Sequence, residues 1–453
     1  MRLAFAAGIG LGIDESYMVV AGRGALRLGY FDHPLVSWWM ARGAAGLFGS
    51  EAAVVVRLPF IALFAASTWM MARLTAALFT PRAGFWAAVA FNLAPVFGVT
   101  SGGWVLPDGP LVASLLAATL CLVPALAGQG WRWWIGTGVF AGLAMLSKYT
   151  AVLTLAGVVI YLLTQRSHRA WLARPQPYVA GLLAMAVFSP VVIWNAEHGW
   201  ASLAFQGGRA AAARLQPLGP FITLGGEALF LLPWIWAGLL LMFWRALRRG
   251  PSNDRSWLLA CLAAPPIVLF AVVSLWSRQV LFHWAAPGYL MLFPMFGAWL
   301  AAWPHTLRAT AWTAGFVLVL MALVVGEVQL GLLPGNPAAQ ARDWSSLRPA
   351  LAARGLLTLP IAAPSWSDAG KVGLGLGADV PLFCLNTDSR EFRFSTTPPT
   401  SGDVLIIAPR RSLAQMQAAY GGNFASIEAL APVETREAGA VPLYVGHALV
   451  RWP

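Results

Sequence analysis

AGFWAAVAFNLAPVFGVTSGGWVLP (Ala83–Pro107), then Asp108, then GPLVASLLAATLCLVPALAGQGW (Gly109–Trp131) carry a single charged side chain among them. A helix needs about 20 apolar residues to cross a bilayer, so each run is long enough to do so. Charge-free runs recur at Trp133–Ser147, Tyr149–Gln165, Pro175–Ala196, Ser256–Ser277 and Ala309–Gly326. The 453 residues are 58% hydrophobic and only 11% charged, with a mean hydropathy of +0.67. A soluble chain carries far more charge, and a membrane β-barrel alternates polar and apolar residues instead. The fold class expected is an all-α polytopic membrane protein.

Eleven membrane segments are read: 3–13, 52–79, 84–100, 110–126, 133–146, 150–163, 178–195, 221–244, 257–276, 280–303 and 309–330. The first is too short to span alone and reads as the remnant of a transmembrane helix, not as a cleavable signal peptide. If the segments alternate, Arg82, Arg132, Arg166, Arg169, Arg174, Arg245, Arg248, Arg249, Arg255 and Arg308 fall on one side. The positive-inside rule makes that side cytoplasmic. The formal charge of +12 is thereby assigned to topology, not to nucleic acid. The outer side then receives Asp14, Glu15, Asp32, Asp108, Lys148, Glu197, Arg278 and the C-terminal tail. In the first outer loop, Tyr17–Leu28 and Leu35–Leu47 read as interfacial helices, with Trp38 and Trp39 as anchors.

Pro334, Gly335, Asn336 and Pro337 mark a change of character. The expected division is 1–333, a transmembrane domain, and 334–453, a small extracytoplasmic α/β domain. Strands are expected at 357–362, 380–385, 404–408 and 441–445, and a helix at 412–420. Gly373-Leu374-Gly375-Leu376-Gly377 lacks the G-x-G-x-x-G order and strand context of a dinucleotide fingerprint. Cys121, Cys261 and Cys384 form no disulfide framework or zinc spacing.

Acidic residues beside apolar runs are costly unless they reach water or do chemistry. Asp14 and Glu15 are candidates for a general base acting on an acceptor hydroxyl, against the alternative of a solvated loop start. Asp108 is a third candidate catalytic carboxylate, and it stands equally well as a helix N-cap. Lys148 suits a lipid phosphate as a point charge, or simple interfacial snorkelling. Arg278 and His283 are further candidate phosphate contacts, with helix-end anchoring the alternative for the arginine. Asp32-His33-Pro34 reads as a site fragment or a turn.

Asp14-Glu15-Ser16-Tyr17, Gly29-Tyr30-Phe31-Asp32-His33-Pro34-Leu35, Val56-Arg57-Leu58-Pro59, Pro107-Asp108-Gly109-Pro110-Leu111, Gly142–Thr150, Phe188–Asn195 and His283–Tyr289 together resemble the bacterial members of glycosyltransferase family 39. These relate to the dolichyl-phosphate-mannose protein mannosyltransferases and to the lipid A aminoarabinose transferase. The resemblance runs from about Ile13 to Trp303. It implies a GT-C fold and a sugar donor carried on a polyprenyl phosphate. It also implies transfer to an acceptor hydroxyl of a glycan, lipid or protein on the periplasmic side, with inversion, in a bacterial inner membrane. By the same resemblance Asp14 matches the base and Asp108 a second acidic position. Lys148 and His283 match positions near the donor phosphate. A divalent metal, which Asp14 and Asp108 could hold, is not favoured. The competing reading is a polytopic transporter or lipid-linked sugar flippase. It would place ionisable residues or broken helices near the bilayer midplane, whereas here most charges lie at the ends of the apolar runs. A non-catalytic scaffold that binds a lipid-linked sugar is the third.

Overall fold

A computed structural model describes residues 2–209, 214–277, 280–333 and 337–453. Among these, five helices are long and apolar enough to cross a membrane: Ala53–Leu78, Asp108–Leu126, Pro175–Glu197, Asp254–Val273 and Thr306–Leu330. Two bent pairs pass the same test together, which raises the number to seven. Shorter apolar helices occupy Ala151–Thr164 and Ala286–Ala302. The protein is a multi-pass helical membrane protein with a small C-terminal sheet. The chain divides into two compact units.

The helical unit comprises 27–37 and 59–319. Lipid offers no hydrophobic force between helices, so close packing through small residues has to supply the contact. Gly138 and Gly142 of the Trp131–Ser147 helix sit on Ala180 and Ala184 of Pro175–Glu197. A Cβ added at either would meet a backbone oxygen at 2.5 or 2.7 Å. Gly157 lies against the Cys261 carbonyl, which would meet an added Cβ, and Gly297 lies against Ala83 and Ala87 in the same way.

Two segments read as continuous are broken. The expected span 221–244 is a Gly219–Leu231 helix and a Pro233–Arg249 helix that meet at 113°. Pro233 has no N–H to continue the ladder, and Leu232 takes φ +71° at the corner. The expected span 280–303 divides into Ala286–Leu290 and Phe293–Ala302, each with proline in its first turn.

The second unit comprises 1–26, 38–58 and 320–453. Its sheet has the order β2-β1-β3-β5-β4, where β1 is Ile361–Ala363, β2 Leu382–Cys384, β3 Val404–Ile407, β4 Phe424–Thr435 and β5 Gly439–Leu449. β1 runs parallel to β2 and β3, while β5 runs antiparallel to β3 and β4. Leu413–Tyr420 is the expected helix. β4 was not expected, because its exposed positions blur the alternation that marks a strand.

The glycine run belongs to a helix, Trp366–Leu376. Gly370 and Gly373, three apart, let that helix approach Ile13–Ala21. An added Cβ would meet the Tyr17 backbone at 2.7 Å and Val20 at 2.6 Å. The run is a packing face, and no nucleotide reading is needed to explain it.

The expected first segment bends by 80° between Arg2–Gly8 and Ile13–Ala21, so the expected Tyr17–Leu28 helix starts earlier and ends at Ala21. Val36–Phe48 is helical as read. Trp38 is no interfacial anchor: it is buried against Tyr17 at 5.5 Å between ring centroids. The boundary residues Pro334, Gly335 and Asn336 lie outside the described residues.

Candidate functional site

In the second unit, the bend before Ile13 strips several backbone groups of their helical partners, and each needs another. Arg57, 1% exposed, supplies most of them. Its Nη1 donates to the Ala6 and Ile9 carbonyls at 3.1 and 2.7 Å, and its Nη2 to Gly10 at 2.9 Å. The remaining donors form a fork on Glu15, Nε to Oε1 at 2.8 Å and Nη2 to Oε2 at 2.5 Å. All five guanidinium donors are thus engaged. Glu15 Oε2 also accepts the Gly12 N–H at 2.9 Å.

Lys371 donates to the Leu11 and Arg342 carbonyls at 2.7 and 2.8 Å, and the Leu11 N–H donates to Asp343 at 3.1 Å. Burial, opposed in part by Asp343 and Glu15, pushes the Lys371 ammonium down to about 8. Tyr17 anchors the helix that follows. Its ring packs on Trp38, Trp366 and Phe392, and its hydroxyl accepts the Glu391 N–H at 2.9 Å. On this frame Glu15 is buried and Asp14, one residue earlier, is exposed. The two neighbours, read together as catalytic carboxylates, have opposite surroundings.

In the helical unit, Asp108 is the first residue of the Asp108–Leu126 helix and Pro107 holds the N-cap position, so Asp108 is not the cap. The carboxylate instead takes Lys148 Nζ at 2.9 and 3.1 Å. Lys148 ends the Trp131–Ser147 helix in extended conformation. It is 6% exposed, which excludes snorkelling to water. A buried pair of this kind survives because each charge compensates the other. His283 is an electrostatic neighbour of Asp108, Lys148 and Arg209, and His33 is one of Asp108. The Arg209 guanidinium lies over the Trp284 ring at 4.5 Å. Tyr149 shares a 2.6 Å hydrogen bond with Ser202, and the Asp32 carbonyl accepts from Gln206. Gly29 lies on Trp194, where a Cβ would approach to 2.9 Å.

Of the six candidate residues, Asp108, Lys148 and His283 are brought together, Asp14 and Glu15 stand in the other unit, and Arg278 lies outside the described residues. Asp32 and His33 lie in a bend, and His33 is an electrostatic neighbour of Asp108. Arg57 and Arg209 were missed. Arg57 was quoted only as part of a motif. A lone arginine at the mouth of an apolar run was its one signal. Arg209 shares a loop with several polar residues and carried no signal of its own.

Residues 32–194 match the family described as dolichyl-phosphate-mannose-protein mannosyltransferase. The chain resembles glycosyltransferase family 39. A lipid A galacturonosyltransferase, RgtD of Rhizobium johnstonii, is 26% identical over 342 residues, which is 70% of this chain and 67% of that protein. ArnT from Cupriavidus metallidurans bound to undecaprenyl phosphate superposes with a TM-score of 0.70 at 15% identity, over 98% of this chain and 95% of that one. Its apo form gives 0.68 over the same shares. The structural likeness establishes a shared GT-C-type fold. His33, Asp108, Lys148 and His283, from four of the short motifs, meet in one cluster, whereas the motif at Val56–Pro59 supplies Arg57 to Glu15 in the other unit.

Proposed function

We propose that the chain is an integral membrane glycosyltransferase. It moves a sugar from a polyprenyl-phosphate donor to an acceptor hydroxyl on the periplasmic face of a bacterial inner membrane, with inversion. The observation that carries this is the cluster of Lys148, His283 and Arg209 around Asp108, in which Asp108, Lys148 and His283 come from the quoted motifs and Arg209 from the end of the Ala201–Arg209 helix. The eleven crossings and the outward face of Asp14 and the sheet domain rest on the arginine loops.

The chemistry asks little of such a site. The acceptor oxygen attacks the anomeric carbon as the bond from that carbon to the phosphate oxygen breaks. The lipid phosphate leaves with the electron pair, and the hydroxyl proton passes to a base. Asp14 is assigned to that base on the resemblance alone. Glu15 holds the turn beneath it through its bonds to Arg57 and the Gly12 N–H. Lys148, Arg209 and His283 stabilise the charge that develops on the leaving phosphate. Arg278 is assigned to the same task on the resemblance alone. Asp108 aims Lys148 through the bonds at 2.9 and 3.1 Å. Its neighbours make it a positioning group for the cations, not a second base.

The test is release of undecaprenyl phosphate from its glycosylated forms in membranes that carry the wild-type chain or Asp14→Asn, followed by mass spectrometry. Release is expected with the wild type and should fall by about 10²–10⁴-fold in the variant. Equal release by both would remove Asp14 from the role of base. No release above membranes lacking the chain would remove this donor class.

A further inference from the structure

Glu227 lies in the Gly219–Leu231 helix, beside apolar residues, and is 2% exposed. An ionisable group in such a place is retained only for a purpose. The Tyr289 hydroxyl donates to Glu227 Oε2 at 2.6 Å and accepts from Trp236 Nε1 at 3.0 Å. Trp236 lies past the 113° corner, on the Pro233–Arg249 helix. One phenol therefore ties both arms of the broken span to the short Ala286–Leu290 helix. The residue before Glu227 makes a second contact. Gly226 packs on the Phe282 ring so closely that an added Cβ would collide with it. Two adjacent residues of one helix thus hold Phe282 on one side of His283 and Tyr289 on the other. Between them, the His283 carbonyl accepts the Ala286 N–H at 3.1 Å and starts the short helix.

We infer that Glu227, through Tyr289, is a positioning residue that sets the His283 ring toward the lipid-phosphate cluster of Lys148 and Arg209. The inference rests on the donor reading given above. The backbone bonds of residues 281–292 are local, as Trp284 N–H to Leu281 and Leu292 N–H to Tyr289 are, and such bonds give the segment no tie to a neighbouring helix. A hydrogen-bonded anchor from a neighbouring helix supplies what the segment lacks.

The experiment uses the full chain in nanodiscs, as Glu227→Leu, Glu227→Gln, His283→Ala and the double variant Glu227→Leu/His283→Ala. Glutamine keeps an oxygen for the Tyr289 hydroxyl, and leucine does not. Two readouts are taken on folded protein: the rate at which diethyl pyrocarbonate modifies His283, followed by mass spectrometry, and the affinity for undecaprenyl phosphate. Glu227→Leu should change the modification rate several-fold and weaken binding about tenfold, while Glu227→Gln stays near wild type. The double variant should bind no worse than His283→Ala, because both act through one ring. Unchanged modification in folded Glu227→Leu overturns the inference, and so do binding losses that add. Absence of undecaprenyl phosphate binding by the wild type would instead overturn the donor reading, and the modification rates would still decide whether Glu227 sets the ring.

Discussion

A carboxylate that takes a proton from a substrate must keep a lone pair turned toward it, and Glu15 has given its oxygens to Arg57 and Gly12. Asp14→Asn is expected to lower transfer by about 10²–10⁴-fold while leaving folding intact. Glu15→Ala is expected to do the reverse. It strands the Arg57 charge among the backbone carbonyls of the bend, at a cost of about 3–5 kcal/mol, read as a lower unfolding temperature in detergent. Equal stability of Glu15→Ala and wild type would show that the fork does not hold the bend. Lys371 adds a pH term. Its ammonium is pushed down from 10.5 to about 8 by burial. Below about 8 both folded and unfolded chains hold the proton, and its burial counts in full against stability. Between about 8 and 10.5 the unfolded chain holds more protons, so this group's contribution makes stability rise with pH. Wild type should gain stability relative to Lys371→Met across that window, and parallel profiles would contradict the assignment. The acidic pair was legible in the sequence from its cost beside lipid. That it would split into a framing and a solvent-facing residue was not, because the partner, Arg57, is 42 positions away in the chain.

Helices in lipid pack by the shape of their small-residue faces, so substitutions there act by sterics. Gly157→Val puts a side chain where the Cys261 carbonyl already lies and is expected to cost about 1–3 kcal/mol. Gly181→Ala, which meets nothing within 4 Å, is expected to leave the unfolding temperature unchanged. A matching loss in both would show that the effect is not the contact with Cys261. The straight spans were legible because a run of apolar residues is its own signal. The breaks at Leu232 and Leu292 were not: hydropathy is blind to Pro233 and to Pro287 and Pro294, whose missing N–H groups end the ladder. Gly370 and Gly373 show the opposite failure. The residues were noticed, but their use depends on a helix from the far end of the chain.

At the scale of the molecule, the sequence carried the helical membrane class, the C-terminal sheet and the family likeness, each of which sums over many residues. It did not carry the two compact units, because one of them joins the first 26 residues to the last 134 through the packing of Ile13–Ala21 on Trp366–Leu376. Nor did it carry the meeting of Asp108 with Lys148, which pairs two residues read for separate tasks. The account as a whole claims that this assembly attaches one sugar to one envelope acceptor. Mass spectrometry of envelope lipids and glycans tests that most directly, in a strain lacking the chain and in the same strain supplied with wild type or Asp14→Asn. One species should lose a single sugar in the deletion, regain it with the wild type and remain without it in the variant. An envelope of identical composition in all three strains would contradict the account.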